Sequence, residues 1–371
     1  MPFAYGARTR PSPYFEATIR HGVGAFSVYN HMMMPDHIEG PEADYWNLVE
    51  GVSIWDVGCE RQVEITGPDA ARFAQYLVTR DVTRIEPGRA RYTLVCQEDG
   101  GILNDPVLLR LAPDHFWLSL ADSDILLWAK GVAHSSPFEV SLREPDVSPL
   151  QVQGPKSNDL MGRVFGSSID GIGFYRFIET DLDGVPLVVA RTGWSGEVGY
   201  ELFLRDGRRG TWLWDRLFSA GEDLGVRAGA PNNIRRVEAG LMSYGTDMDS
   251  TMNPWEVGLD QFVDLGSRDD FIGKSALAEV AEKGPGRRRI GLVISGEPIR
   301  QGPIRWWPVT RDGSEVGFVT CAVYSPGLEK NIAFCLAAAE AADEAAFEVL
   351  TPDGPRPAER APIPFVSPRY R

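Results

Sequence analysis

A unit of strand, Gly-Pro turn and helix occurs twice in this chain and constrains its fold more than any other feature. The segments are Gln62–Thr66, Gly67-Pro68 and Asp69–Leu77 in the first copy, and Leu150–Gln153, Gly154-Pro155 and Lys156–Phe165 in the second. Alternating apolar residues predict the first strand, and Asp69 can cap the helix that follows it. The repetition favours an internal duplication of one αβ module.

The length of the chain and its breaks predict more than one domain. A protein of 371 residues exceeds the roughly 100 to 200 residues usual for one domain, so we expect two or three. The proline-rich segment Glu144–Pro149 is the first candidate crossing between domains. After the basic turn at residues 284–289, short alternating strands separated by turns such as Asp312-Gly313 predict a small all-β domain.

Composition argues against several classes of protein. A formal charge of −15 does not suit a nucleic-acid or anionic-membrane surface, because both need clustered positive charge. The four cysteines lack CxxC spacing, which favours reduced thiols over a disulfide framework or a metal site. The first twenty residues lack the apolar core of a secretory signal, and no uncharged apolar run reaches the roughly 20 residues of a membrane span. We therefore expect a cytoplasmic protein without nucleic-acid or membrane partners.

The segment Arg191–Phe203 combines three glycines, Trp194 and the carboxylates of Glu197 and Glu201. The apolar run Leu187–Ala190 leads into it, so we predict a β-hairpin with the glycines at its bend. Carboxylates among apolar residues are costly unless they are partnered, which favours a ligand site. The alternative is a glycine-rich hairpin that leads into an edge strand.

Two further segments carry candidate site residues. Asp105 lies between apolar strands, and Pro106 removes a ladder donor directly after it, which is typical of an edge or a bulge. A partnered carboxylate is one interpretation of Asp105, and a turn-end carboxylate that faces water is the other. In the segment Val28–Pro35, Tyr29 and Asn30 can line a pocket, whereas the alternative is a structural histidine among core methionines.

Five motifs occur in the order that one enzyme family shows. They are Gly101–Asp105, Val152–Pro155, Thr192–Glu201, Arg236–Gly240 and Phe271–Lys274. This set resembles the glycine-cleavage T-protein (aminomethyltransferase) family of folate-dependent enzymes over nearly the whole chain. A second set is most similar to the dimethylsulfoniopropionate demethylase branch of that family: Val28–Met32, Trp55–Val57, Asn104–Val107, Ser119–Asp124 and Ser243–Gly245.

The resemblance implies an α+β fold. It implies a three-domain ring of the T-protein type, with two αβ domains that have antiparallel sheets and a C-terminal all-β, barrel-like domain. We expect residues 1–50 and 140–240 to form the first αβ domain, residues 51–139 and 241–280 the second, and residues 281–371 the C-terminal β domain.

The resemblance also implies that tetrahydrofolate is the methyl acceptor and lies in a central channel. Asp105 would act near the reactive nitrogen of the pterin, and Tyr92 would flank the pterin. Glu201 would hydrogen-bond the pterin ring, and Arg236 would pair with a folate carboxylate. These residue types suit the ligand, because a carboxylate can accept hydrogen bonds from an amino-pyrimidinone edge and an arginine fork matches a glutamyl carboxylate.

The implied reaction moves a methyl group from a small onium donor, such as dimethylsulfoniopropionate or a related sulfonium or betaine, to N5 of tetrahydrofolate. Candidate aromatic faces for the cation are Trp194, Tyr29 and Phe174. An onium donor needs no general acid, because it becomes neutral as it leaves. An ether donor needs one, and Glu197 is the available residue.

One segment departs from the demethylase branch. That branch continues with lysine, glutamine and two glycines where this chain has Gly196–Gly199, and Phe203 replaces an aromatic hydroxyl. The loss of the lysine removes positive charge near the donor. We predict that Glu197 and Phe203, which differ from the branch, contact the donor. Three alternative functions stay open: an O-demethylase of a methoxy compound, an aminomethyltransferase that uses a lipoyl carrier protein, and a non-catalytic folate-binding protein. A homodimer is also left open.

Overall fold

The computed structural model describes residue 6 and residues 8–370; residues 1–5, 7 and 371, which belong to the predicted first and third domains, lie outside this part. Its α-helices are Phe15–Arg20, Pro41–Glu50, Ala70–Leu77, Ile125–His134, Ser157–Phe165, Gly210–Ala220, Asn233–Glu238 and Lys274–Lys283. None of the helices in the described residues is both long enough and apolar enough to cross a membrane.

Six strands form the larger sheet, in the order Phe177–Leu182, Val185–Ala190, Gly199–Leu204, Ser148–Gln153, Ser53–Asp56 and Arg227–Gly229. Each neighbouring pair is antiparallel except the last, which is parallel. One face, which includes Leu150, Leu202 and Leu204, packs against the helices Ser157–Phe165 and Gly210–Ala220. The predicted hairpin around the glycine-rich segment is confirmed, because two neighbouring strands of this sheet flank it.

Five strands form the second sheet, in the order Ser141–Arg143, Gln62–Thr66, His115–Ser119, Val107–Ala112 and Arg89–Tyr92. All of its pairs are antiparallel. The helices Ala70–Leu77 and Ile125–His134 pack against one face. On the other face, Trp117 joins Val188 and Phe203 of the six-stranded sheet in one buried cluster. The two sheets therefore face each other across this cluster.

Both predicted Gly-Pro units are confirmed. Gly67 and Gly154 follow their strands with φ of +122° and +117°. A Cβ atom on Gly67 would lie 2.8 Å from the carbonyl oxygen of Glu139, and one on Gly154 would lie 2.6 Å from that of Gly51. Any larger residue would be strained and would clash with backbone at either position. The shared geometry supports the duplication of one αβ module.

The C-terminal part is a closed barrel, as predicted. Its strands, in order round the barrel, are Arg287–Ile294, Lys330–Ala338, Ser314–Ser325, Trp307–Arg311, Ala346–Thr351 and Gly354–Ala361. Val309, Val319 and Ala333 are among the buried residues that fill it. Two short antiparallel ladders complete the strands of the described residues: Ala25–Tyr29 with Met32–His37, and Val95–Cys96 with Ile102–Asn104.

Strand pairing bears on the domain boundaries, which stay a prediction. Ser53–Asp56, on the far side of the predicted boundary at residue 50, pairs within the six-stranded sheet. Ser141–Arg143, which was expected in the first αβ domain, pairs with Gln62–Thr66 in the five-stranded sheet. We therefore propose boundaries after Asp56 and after Arg143, because a strand belongs with the sheet that satisfies its backbone hydrogen bonds.

Candidate active site between the two sheets

Two polar side chains lie on the face of the six-stranded sheet that points away from its helices. Side chains alternate along a strand, so Gln151 and Glu201 lie opposite the core-facing leucines of their strands. The two residues are register partners and are 1% and 5% exposed. Glu201 accepts a hydrogen bond from Gln151 Nε2 at 2.8 Å and one from the hydroxyl of Thr192. Burial nevertheless raises the pKa of Glu201.

Asp105 lies just before the strand Val107–Ala112 of the five-stranded sheet. The hydroxyl of Tyr92 donates to its Oδ2 at 2.7 Å. Its Oδ1 is buried and has no hydrogen-bond partner among the described residues. Burial raises the pKa of Asp105 to about 7, although the bond from Tyr92 acts to lower it. The partnered-carboxylate interpretation agrees with this position, and one carboxylate oxygen is left to meet a ligand.

Glu60 is a third carboxylate in this region, and the sequence analysis missed it. Its Oε1 lies 3.4 Å from Gln151 Nε2, and its Oε2 lies 3.5 Å from Ser119 Oγ. Burial, then the charges of Glu201 and Asp105, raise its pKa well above the ordinary value. In the sequence, Glu60 lies just before an alternating strand and has the pattern of an exposed residue at a strand end. That pattern does not identify it as a site residue.

Besides Tyr92, two tyrosines lie within electrostatic reach of these carboxylates. Burial, followed by the charge of Glu60, raises the pKa of Tyr29 well above its usual value. Burial and the charge of Glu201 likewise raise the pKa of Tyr175. The ring of Tyr175 packs edge-on against Phe174 at 4.6 Å, and Phe174 stacks on Tyr370 at the same distance. Of the predicted donor contacts, Tyr29 lies within electrostatic reach of Glu60, and Phe174 packs against Tyr175.

Arg236 does not have the free guanidinium that its predicted role requires. It is fully buried, pairs with the carboxylate of Asp247 and donates to Cys321 Sγ at 3.1 Å. Burial acts to lower the pKa of Arg236, but Asp247 outweighs this effect and raises it. The indole of Trp194 lies 5.5 Å from its guanidinium and donates to the carbonyl of Met242 at 3.0 Å. Arg236 and Trp194 thus pack against each other, and their polar groups are already bonded to Asp247 and Met242.

Arg289, on the first strand of the barrel, is one arginine whose guanidinium is not paired with a carboxylate of the described residues. Its Nη1 donates to the carbonyl of Gly240 at 3.2 Å, and it forms no ion pair within the described residues. Burial lowers its pKa, while the neighbouring groups Asp247 and Tyr92 act to raise it. A largely buried cation without a carboxylate partner suits an anionic ligand group. In the sequence, Arg289 ends a basic turn, and this pattern did not identify it as a site residue.

Glu197 is held in ion pairs, contrary to its predicted role as a free acid or donor contact. Its Oε1 accepts from Arg235 Nε and from Arg369 Nη2, both at 2.8 Å. Arg235 also lies 3.3 Å from Glu238. The side chains of Glu197, Arg235 and Glu238 are each 1% exposed. The carboxylate of Glu197, which stands where the branch has glutamine, is therefore neutralised within the protein.

Phe203 also differs from its predicted role. It is completely buried in the cluster between the sheets, and its ring centroid lies 6.2 Å from that of Trp117. Because the side chain alternates with the core-facing leucines, it points between the sheets but is enclosed by apolar residues. Phe203 therefore packs the sheets together and has no surface to offer a donor.

The arrangement can serve a planar ligand rich in N–H groups together with a cation. The buried Oδ1 of Asp105 and Oε1 of Gln151 both lack hydrogen-bond partners among the described residues. Buried acceptors of this kind cost free energy unless a ligand or water supplies donors. In the part of the chain that the structure describes, no three His, Cys, Asp or Glu residues are grouped to hold a metal ion.

Comparison with known proteins covers nearly the whole chain. The GCVT N-terminal domain matches residues 14–267, and the glycine cleavage T-protein C-terminal barrel domain matches residues 287–367. The chain is 46% identical over 353 residues to the dimethylsulfoniopropionate demethylase DmdA of Ruegeria pomeroyi, which covers 94% of this chain and 95% of that protein. It is 33% identical over 335 residues to an aminomethyltransferase of Desulfitobacterium hafniense, which covers 88% of this chain and 89% of that protein.

A solved structure shares the fold. The crystal structure of the glycine cleavage system aminomethyltransferase T from Bartonella henselae matches with a TM-score of 0.87 at 24% identity. The match covers 97% of this chain and 99% of that chain. It agrees with the α+β architecture of two sheets and a barrel described above.

Proposed function

Because this chain belongs to the glycine cleavage T-protein family, we propose that it moves a methyl group from a small onium donor to N5 of tetrahydrofolate. It is a tetrahydrofolate-dependent transferase that acts on a small-molecule substrate. The observation that carries the proposal is the buried Oδ1 of Asp105, which has no hydrogen-bond partner among the described residues. The similarity to a dimethylsulfoniopropionate demethylase makes that sulfonium compound the first candidate donor.

The groups in the site fit tetrahydrofolate. When bound, tetrahydrofolate supplies the nucleophilic N5 amine that accepts the methyl group. Glu201, supported by Gln151, would accept hydrogen bonds from the amino-pyrimidinone edge of the pterin. Tyr92 would flank the pterin, and Arg289 would pair with the glutamyl carboxylate. Arg289 takes the role first predicted for Arg236, because the guanidinium of Arg236 is already paired with Asp247.

Asp105 would hold the proton that the amine must lose. The hydroxyl of Tyr92 occupies Oδ2, so Oδ1 is the oxygen that can receive a proton. A pKa of about 7 matches a group that must accept and release a proton near neutral pH. The other contribution of the protein is to hold donor and acceptor aligned and away from water, which can lower such barriers by several kcal/mol.

The state of Glu197 favours an onium donor over a methoxy compound. An ether donor requires a general acid, and Glu197, the candidate for that role, is held by Arg235 and Arg369. A free negative charge at Glu197 would repel a donor that carries a carboxylate, such as dimethylsulfoniopropionate. The two arginines neutralise Glu197, so this repulsion is removed. Aminomethyl transfer from a lipoyl carrier remains the second candidate, since an aminomethyltransferase is 33% identical to the chain.

Two finer properties also belong to this proposal. A cytoplasmic location is supported by the four cysteines, which are all free thiols, as is usual in reducing compartments. The homodimer stays a prediction from the sequence.

The direct test is to incubate the purified protein and tetrahydrofolate with sulfonium, betaine and methoxy donors and to measure 5-methyltetrahydrofolate by chromatography. We expect product with an onium donor and none with methoxy donors. Reactions without protein or without donor are the controls. If no donor yields product and tetrahydrofolate does not bind, the proposed function is wrong; aminomethyl transfer from a lipoyl carrier protein would support the second candidate.

A further inference from the structure

The site carries carboxylates that no cation of the described residues compensates. Within the described residues, no lysine or arginine forms an ion pair with Glu60, Glu201 or Asp105. Arg61, which follows Glu60 directly, pairs instead with Glu144 and lies 3.6 Å from Asp124. Burial without a partner cation raises the pKa of these carboxyls, and a bound cation would favour their ionised forms.

The amide of Gln151 gives an independent sign of a missing ligand. Its Nε2 lies 2.8 Å from a carboxylate oxygen of Glu201 and 3.4 Å from one of Glu60. Its Oε1 is buried and unpartnered among the described residues, although the residue is only 1% exposed. The partial negative charge of this carbonyl oxygen adds to that of the carboxylates. Asp105 Oδ1 is a second acceptor without a hydrogen-bond partner among the described residues.

We propose that Glu60 selects the positive charge of the methyl donor, an inference that rests on the proposed function. Two neighbouring acceptors favour a cation: the Glu60 carboxylate, which lies 3.4 Å from Gln151 Nε2, and the unpartnered Oε1 of Gln151. A sulfonium or quaternary ammonium has no N–H or O–H to donate, so charge and aromatic faces are the means of recognising it. Glu60 is held more loosely than Glu201: its contacts with Gln151 Nε2 and Ser119 Oγ are 3.4 and 3.5 Å long, whereas Gln151 lies 2.8 Å from Glu201 and Thr192 also donates to Glu201.

The test compares each cation with its neutral carbon isostere. Dimethylsulfoniopropionate is matched by 4-methylpentanoate, and glycine betaine by 3,3-dimethylbutanoate, so the members of each pair differ essentially in the central charge. Calorimetry on the enzyme without tetrahydrofolate measures affinity without turnover. The variants are Glu60→Gln, which removes the charge at nearly constant shape, and Glu60→Asp, which keeps it. Glu359→Gln, at an exposed barrel position, is the matched control.

We expect the wild type and Glu359→Gln to bind at least one cation about tenfold or more tightly than its neutral isostere. Glu60→Gln should lose this preference mainly through weaker cation binding, while its affinity for tetrahydrofolate stays within about twofold. Glu60→Asp should keep a preference of the same sign. If Glu60→Gln keeps the full preference, or if the wild type has none, the inference is overturned.

Formation of 5-methyltetrahydrofolate, measured separately, distinguishes failure of the proposed function from failure of this inference. If the wild type prefers the cation and Glu60→Gln loses the preference, Glu60 has the inferred role even when no 5-methyltetrahydrofolate forms. In that case the methyl-transfer proposal fails and the cation site stands. If product forms but Glu60→Gln discriminates as the wild type does, the methyl-transfer proposal stands and Glu60 is excluded as the selecting residue.

Discussion

Among single residues, Asp105 combines a raised pKa with an oxygen that has no partner. Burial raises the pKa to about 7, and Tyr92 limits the rise by donating to Oδ2 at 2.7 Å. Ionisation of such a group costs the folded protein stability, because the folded pKa exceeds the value of about 3.9 found for a free aspartate. The protein tolerates this cost at a position where a proton acceptor is useful.

Replacement of this carboxyl should separate activity from stability. We expect Asp105→Asn to lower kcat/KM by about 10²- to 10⁴-fold, the range typical of a lost general base. The stability of the variant at pH 8 should equal or exceed that of the wild type, because the cost of a buried charge disappears. Initial rates and thermal unfolding measure the two effects, with the exposed Asp353→Asn as the control. Full activity of Asp105→Asn would remove Asp105 from the mechanism.

The phenol of Tyr92 should set the pH at which the enzyme becomes active. Its hydrogen bond favours the ionised form of Asp105, so Tyr92→Phe should raise the pKa of Asp105 further. The rate of a reaction that needs the carboxylate rises as pH passes upward through that pKa. The acidic limb of the kcat/KM profile should therefore lie near pH 7 in the wild type and move to higher pH in the variant. An unmoved limb, or a shift to lower pH, would contradict the assignment.

Among the elements, the glycine-rich loop is anchored from two directions. The helix Asn233–Glu238 supplies Arg235, and the C-terminal segment supplies Arg369; both donate to Glu197. The backbone N–H of Arg369 also donates to the carbonyl of Gly196 at 2.6 Å. The loop thus connects the strand that carries Glu201 to parts of the chain far away in sequence, and its Glu197 has a structural role.

The two arginines should differ strongly in their effect on stability. Arg235→Ala leaves Glu197 and Glu238 as buried charges with fewer partners, and such changes cost about 3 to 5 kcal/mol. The side chain of Arg369 is 55% exposed, so Arg369→Ala should cost about 1 kcal/mol or less. Urea denaturation followed by tryptophan fluorescence compares the two free energies of unfolding. Equal losses, or a larger loss for Arg369→Ala, would show that the loop is held differently.

At the scale of the whole molecule, the sequence predicted local structure better than long-range contacts. The Gly-Pro units, the hairpin and the all-β character of the C-terminal part follow from periodicity and turn residues, which act over a few positions, whereas the barrel was implied by the family resemblance. The pairing of Glu197 with Arg369 joins residues 172 positions apart, so Glu197 was misjudged as a free acid. Phe203 was misjudged for the same reason, because the cluster that encloses it forms only when two sheets meet.

The three parts of the molecule meet at the candidate site. Glu201 comes from the six-stranded sheet, Asp105 from the link that precedes the strand Val107–Ala112 of the five-stranded sheet, and Arg289 from the barrel. Asp247 connects the parts, because it pairs with Arg236 and accepts from Thr320 of the barrel at 3.0 Å. The central claim is therefore that this junction transfers a methyl group from a cationic donor to tetrahydrofolate.

The measurement that tests this claim most directly is transfer of a labelled methyl group. The enzyme is incubated with tetrahydrofolate and dimethylsulfoniopropionate that carries fully deuterated methyl groups, and the folate product is analysed by mass spectrometry. The account predicts 5-methyltetrahydrofolate with an intact trideuteriomethyl group and formation of the demethylated thioether in equal amount. Consumption of the donor without label in the folate, or an unlabelled methyl group on it, would contradict the account.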